Sequence, residues 1–242
     1  MFFWRSKRFA AGLPPLQPTP KPPIICYVTS RVSLGSEAPI TGLLERIRAA
    51  IEAGADWVQI REKDLPAREL LTLAREGVSA GAPRNLGIAR KAAILINDRL
   101  DVALAAGASG VHLGRESAPA REVVRWCRAG NAPADFRIGV SSHSLEETRE
   151  AESAGADYVF FGPVYETPSK RRFGAAQGIG RLVEVCRSVR IPVIAIGGVN
   201  EENAAECITA GAAGIAAIRM FQEVTDAQAL KEAVGRLHLP AL

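Results

Sequence analysis

The sequence has no long apolar run. Its opening residues, MFFWRSKRFAAGLPPLQPTPKPP, break before any stretch reaches the length of a signal-peptide core or a membrane span, so neither is expected. Cysteine is scarce: Cys26, Cys127, Cys186 and Cys207 are the only four, far apart and without metal-ligand spacing. Reduced core thiols are the expectation, which suits a cytoplasmic protein. No large excess of one charge is present, and a net charge of +4 gives no reason to expect a nucleic-acid partner. Nor does a G-x-G-x-x-G fingerprint follow the first apolar strand, which removes the main sign of an open dinucleotide-binding sheet.

What is present is length, apolar content and a repeat. With 242 residues, 48% of them hydrophobic, the chain can bury a sizeable core as one large α/β domain or two small ones. Prolines crowd Pro14 to Pro23, and residues 1–23 read as an extended, flexible tail or, alternatively, an arm that packs on a partner subunit or on the bottom of the fold. Residues 24–242 carry the repeat. "AGAD" begins at Ala53 and Ala154, "AGAS" at Ala106 and "AGAA" at Ala210. An amphipathic pattern precedes each and an apolar strand follows, as when a glycine caps a helix in the left-handed conformation. The repeats lie roughly 50 residues apart, about the length of two βα units. Between them lie IICYVTS, AILIND, RIGVSS and IPVIAIGG, which raise the count of short strands to eight. Near-continuous apolar strands alternating with helices belong to a parallel sheet covered on both faces. We therefore expect a single (β/α)₈ barrel, whose active site sits where the strands end.

The strand ends are polar. VQIREKD reads as a strand through Asp64, with Gln59, Arg61 and Lys63 on one face and Val58 and Ile60 on the other. The third strand ends in Asn97-Asp98-Arg99 and the fourth in His112-Leu113-Gly114, then Arg115-Glu116-Ser117. The fifth ends in Ser141-Ser142-His143, the seventh in Gly197-Gly198 and the eighth in Ile218-Arg219. Arg61, Lys63 and Lys170 could cradle a multiply charged phosphate, or Arg61 and Lys63 could pair with Glu62 and Asp64 at the rim. The loop holding Thr167, Ser169, Lys170, Arg171 and Arg172 suits an anion-binding lid, or a solvated charge run. Gly198 leads into a helix with Asn200 as candidate N-cap, a generic phosphate signal. Asp98 could hold Mg²⁺ or form an ion pair with Arg99 or Lys63. His143 could move a proton, or cap the helix that Ser144 and Glu147 open as a capping box.

VQIREK, INDRLDVALAAGASGVHLG, GVSSHSLEE, AGADYVFFGPVYETPSK and IPVIAIGGV together resemble the thiamine phosphate synthase family, in order, from about Cys26 to Phe221. The resemblance implies condensation of hydroxymethylpyrimidine diphosphate with a thiazole phosphate and release of pyrophosphate. It implies Mg²⁺ as cofactor, small-molecule substrates, no membrane partner, and is compatible with a homo-oligomer. It also implies that Arg61, Lys63 and Lys170 hold the diphosphate, with Gln59, Asn97 and Ser141 around the pyrimidine and its leaving group. Thr167, Ser169, Gly198 and the Ile218-Arg219 backbone would hold the thiazole phosphate, and Asp98 the metal. Two positions depart from the pattern. Ser117 stands where a second metal-binding aspartate is usual, with Glu116 beside it as a candidate helper, and Arg219 replaces a small residue. The related thiazole tautomerase, with His143 as acid/base, and an inactive precursor-binding homologue are the alternatives.

Overall fold

Eight parallel strands close on themselves. They are β1 (Ile24–Val28), β2 (Trp57–Ile60), β3 (Ala93–Asn97), β4 (Gly110–Leu113), β5 (Arg137–Ser142), β6 (Tyr158–Phe161), β7 (Val193–Ile196) and β8 (Gly214–Ala217). Each pairs with the next, and β8 returns to β1 in the register Cys26 to Ala216. The structure is a computed structural model and describes residues 22–35, 40–82, 92–167 and 176–238. All but Pro22 and Pro23 of the expected tail therefore lies outside the described residues.

Helices α1 (Ile40–Ala53), α2 (Ala67–Gly81), α3 (Leu100–Ala106), α4 (Ala120–Trp126), α5 (Leu145–Ala154), α6 (Gly178–Ser188) and α7 (Ala204–Thr209) separate successive strands; α8 (Arg219–Glu223) and α9 (Ala227–Leu237) follow β8. The repeated glycines act as expected: Gly107 and Gly155 end α3 and α5 in the left-handed region, where a side chain would be strained. Along α1, Leu43, Ile47 and Ala50 recur at helical spacing and are fully buried. Burying a side chain the size of leucine or isoleucine contributes roughly 1.5–3 kcal/mol.

Successive strand residues face opposite ways, which gives the core two parts. Ile25, Tyr27, Val58, Ile60, Ile94 and Ile96 belong to the layer that packs against the helices. Cys26, Val28, Leu95, Tyr158, Phe160, Ile194 and Ala216 fill the barrel interior. All four cysteines are free and buried: Cys26 in the interior, and Cys127, Cys186 and Cys207 in the outer layer. Burial pushes their thiols up, that of Cys186 to about 12 and that of Cys207 to about 11.

Two local expectations need correction. The strand in VQIREKD stops at Ile60 rather than Asp64, because the next residues turn back to bond with the end of β1. Asn200 does not cap α7. Its side-chain oxygen accepts from the N–H groups of Glu202 (3.0 Å) and Asn203 (3.2 Å), closing a turn that delays the helix to Ala204.

Candidate active site

At the mouth of the barrel the end of β2 is tied to the end of β1. Thr29, fully buried, donates its hydroxyl proton to Glu62 (2.6 Å) and accepts from the Arg61 N–H (2.9 Å). Glu62 also accepts from the Arg31 N–H (2.9 Å), and Asp64 pairs with the Arg31 side chain. Burial raises the Glu62 carboxyl above its ordinary value, against the pull of those two hydrogen bonds. Both neighbouring carboxylates are thus committed to the β1 end, and the rim pairing with Arg61 and Lys63 does not form. Arg61 is half-buried and Lys63 exposed, and neither side chain has a hydrogen-bond or ion-pair partner among the described residues.

A chain of hydrogen bonds runs from β2 across β3 to the loop after β4. Gln59, 2% exposed, donates to the Asn97 side-chain oxygen (3.0 Å), and the Asn97 amide donates to Asp98 Oδ2 (3.1 Å). Ser117 donates its hydroxyl proton to Asp98 Oδ1 and accepts from the Gly114 N–H (2.7 Å). Asp98 has φ 64°, a left-handed conformation that aspartate tolerates better than most residues. Arg99 turns away to Asp101, so the alternative of an ion pair from Asp98 to Arg99 or Lys63 does not form among the described residues. Glu116 is exposed beside Ser117.

Ser141 on β5 bonds to His112 Nε2 (2.9 Å), and His112 Nδ1 bonds to the Tyr158 hydroxyl (3.2 Å). Burial holds the His112 imidazole neutral, with its pKa down to about 3; Asp98 pulls it up and Arg61 pushes it down, which places both charges around this ring. His143 does not cap α5 with its side chain, because its Nδ1 bonds to the Gly162 carbonyl. Ser144 is the cap: it accepts from the Glu147 N–H (3.1 Å), and Glu147 accepts from the His143 N–H (2.6 Å). Gly114, Arg115, Ser141 and His143 line one groove of about 1070 Å³ between the loop after β4 and α5.

On the opposite arc, Gly198 has φ 69°, and a Cβ there would lie 2.7 Å from Tyr165 Cβ and 2.8 Å from the Glu166 carbonyl oxygen. Only glycine lets the loops after β6 and β7 approach this closely. Ile218 precedes the first turn of α8, and the Arg219 side chain is exposed. Thr167 is half-buried at the end of the described part of the loop after β6, and Ser169 and Lys170 lie outside the described residues. Sequence reasoning gave no role to His112 or Tyr158. Their signal is subtle: both have the inward parity of Gln59 and Asn97, and Gly139 stands between them across the sheet.

A family model described as thiamine monophosphate synthase matches residues 28–221. The chain is 39% identical over 214 residues to a thiamine-phosphate synthase of Moorella thermoacetica, a match covering 87% of this chain and 95% of the relative. It is 36% identical over 235 residues to that of Roseiflexus sp. strain RS-1, covering 95% and 93%. Among solved structures, a thiamine phosphate pyrophosphorylase from Pyrococcus furiosus superposes with a TM-score of 0.74 at 32% identity, covering 89% of this chain and 95% of that one.

Proposed function

Since the chain belongs to the thiamine monophosphate synthase family, we propose how its own residues divide the work of that reaction. The enzyme is a transferase that joins hydroxymethylpyrimidine diphosphate to thiazole phosphate. The bond between the pyrimidine methylene carbon and the diphosphate oxygen breaks, and its electron pair leaves with pyrophosphate. The thiazole nitrogen lone pair forms the new C–N bond. Binding must hold the two substrates in line, and charge on the leaving group must be stabilised.

The observation that carries the assignment is the Arg61 side chain, unpartnered among the described residues, beside the linked row of Gln59, Asn97 and Asp98 at adjacent strand ends. Arg61 and Lys63, with Lys170, grip the diphosphate, Arg61 through its planar fork. Gln59 and Asn97 orient the pyrimidine, and Ser141 donates to the leaving group. Thr167, Ser169, Gly198 and the Ile218-Arg219 backbone receive the thiazole phosphate. Among the described residues no three His, Cys, Asp or Glu side chains stand together as a metal cage. The Asp98 carboxylate and Ser117 hydroxyl are nevertheless oxygen donors of the kind Mg²⁺ accepts, and Mg²⁺ needs few protein carboxylates. The residues therefore fit a one-carboxylate site, with Asp98 holding the ion and Glu116 as helper. When bound, Mg²⁺ neutralises charge on the pyrophosphate.

The test is an assay of the full chain with both substrates and Mg²⁺. Thiamine phosphate and pyrophosphate should form in equal amounts, and neither when one substrate is omitted. Lys170→Ala should weaken binding of the diphosphate substrate by about 1.5–3 kcal/mol, the usual range for a charged contact. A chain that forms no product at any Mg²⁺ concentration, yet tautomerises the thiazole unless His143 is changed to Ala, would belong instead with the tautomerases.

A further inference from the structure

The barrel interior contains one polar row that the assignment above does not use. His112, Gly139 and Tyr158 are register partners on β4, β5 and β6, so they lie side by side across three strands. The Tyr158 ring crosses the strand between it and His112. A Cβ on Gly139 would lie 2.0 Å from Tyr158 Cζ and 2.4 Å from its hydroxyl, so the crossing exists only because residue 139 has no side chain. His112 and Tyr158 are each 1% exposed, and the Phe160 ring packs at a tilt against the His112 ring with centroids 4.3 Å apart. Two residues beyond Gly139 on the same strand, Ser141 takes the other end of the imidazole at 2.9 Å.

The direction of this row follows from counting protons. A neutral imidazole carries one N–H, so one ring nitrogen donates and the other accepts. Tyr158 has a single hydroxyl proton, and His112 Nδ1 is its only hydrogen-bonding partner among the described residues. If Tyr158 accepted from Nδ1–H, that proton would be buried without an acceptor, a loss of about 1–3 kcal/mol. Tyr158 therefore donates, Nδ1 accepts, and the ring proton sits on Nε2, where it donates to Ser141 Oγ. The oxygen of Ser141 is then engaged as acceptor on its inner side, which leaves its own O–H free to turn toward the mouth.

We propose that Tyr158 and His112 are positioning residues that fix Ser141 as a hydrogen-bond donor to the departing pyrophosphate. No proton is transferred: the hydroxyl of Ser141 stays on its oxygen and is presented, already oriented, where negative charge develops. Among the described residues the two ring nitrogens of His112 meet only the hydroxyls of Tyr158 and Ser141, and at 1% exposure no carboxylate bonds to the ring to hold it charged. With the opposite ring tautomer, the Ser141 proton would point back to Nε2, and the hydroxyl would present only lone pairs to an anion. The inference rests on the synthase assignment for its catalytic consequence, but not for the tautomer itself.

The ¹⁵N spectrum of the full chain labelled at its histidines, with no substrate present, reads the tautomer directly. His112 should carry its proton on Nε2, and Tyr158→Phe, which removes the donor to Nδ1, should weaken that preference so that a share of the Nδ1–H form is seen. Parent protein protonated at Nδ1 overturns the proposal, whatever the enzyme's activity. In the condensation assay Tyr158→Phe should lower kcat on the order of tenfold with the KM values unchanged, less than the ~10²-fold of losing an anion donor outright. In a Ser141→Ala background the same change should cost nothing further, since there is no hydroxyl left to orient. An equal fall in kcat in both backgrounds would mean that Tyr158 acts only through packing, and would also overturn the proposal. A parent that shows the expected tautomer but no condensation would instead count against the synthase assignment.

Discussion

Ser117 stands where the family resemblance leads one to expect a second aspartate, and its surroundings say what a serine does there. Its hydroxyl bridges the Gly114 N–H and the Asp98 carboxylate, so it holds that carboxylate in place without adding charge. A site with one carboxylate should hold Mg²⁺ mainly through water and substrate oxygens, and weakly. Ser117→Asp should therefore tighten Mn²⁺ binding, measured by calorimetry on the protein alone, and lower the Mg²⁺ concentration that gives half-maximal rate. Asp98→Asn should do the reverse and nearly abolish synthesis. If Asp98→Asn leaves both the binding isotherm and the Mg²⁺ curve unchanged, the metal is held elsewhere.

At the scale of elements, the site is a set of strand ends tied to one another. The link between β1 and β2 runs through Thr29, which is fully buried and serves the Arg61 N–H and Glu62 together. Thr29→Val keeps the shape and removes both bonds. It should lower stability by about 1–3 kcal/mol, because the Arg61 N–H and Glu62 lose a buried partner. It should also raise the KM for the diphosphate substrate, because Arg61 loses its anchor; denaturant midpoints and steady-state kinetics check the two parts. Much of this architecture was legible in the sequence. The glycine caps and the apolar runs around VQIRE and YVFFG set the eight βα units, since helix periodicity and two-faced burial leave marks one residue at a time. The capping box at Ser144 and Glu147 was equally local. The extent of β2 and the start of α7 were not, because each is decided by a side chain bonding across the fold or closing a turn: Thr29 in one case and Asn200 in the other. The partners of Glu62 and Asp64 escaped for the same reason, and so did the row from Tyr158 to Ser141, which exists only once the barrel closes.

For the whole molecule, the buried His112 predicts acid sensitivity. Its pKa is about 3 when folded against an ordinary 6.5, so between those values the unfolded chain binds a proton that the folded chain does not. Stability then rises with pH across that window and is lost as pH falls through it, by at most about 1.4 kcal/mol per pH unit from this group. Glu62 works in the opposite sense. Its folded value is raised above 4.5, so its contribution grows as pH falls through that raised value. The wide His112 window should prevail. Between pH 7 and pH 4.5 the parent should lose more stability in urea than His112→Asn does, and equal losses would show that the imidazole takes up a proton without unfolding.

The closed sheet also makes the thiols into a clock. Cys26 lies inside the ring of strands, and burial keeps it a thiol rather than the reactive thiolate, so a capping reagent can reach it only after the strand ladder parts. Cys127 opens the short helical turn Cys127–Asn131 that continues α4, and needs only that turn to loosen. Mass spectrometry of the native protein in excess reagent should find Cys127 capped first and Cys26 last. Where capping outpaces reclosing, the lag before Cys26 reacts measures how long the barrel stays shut.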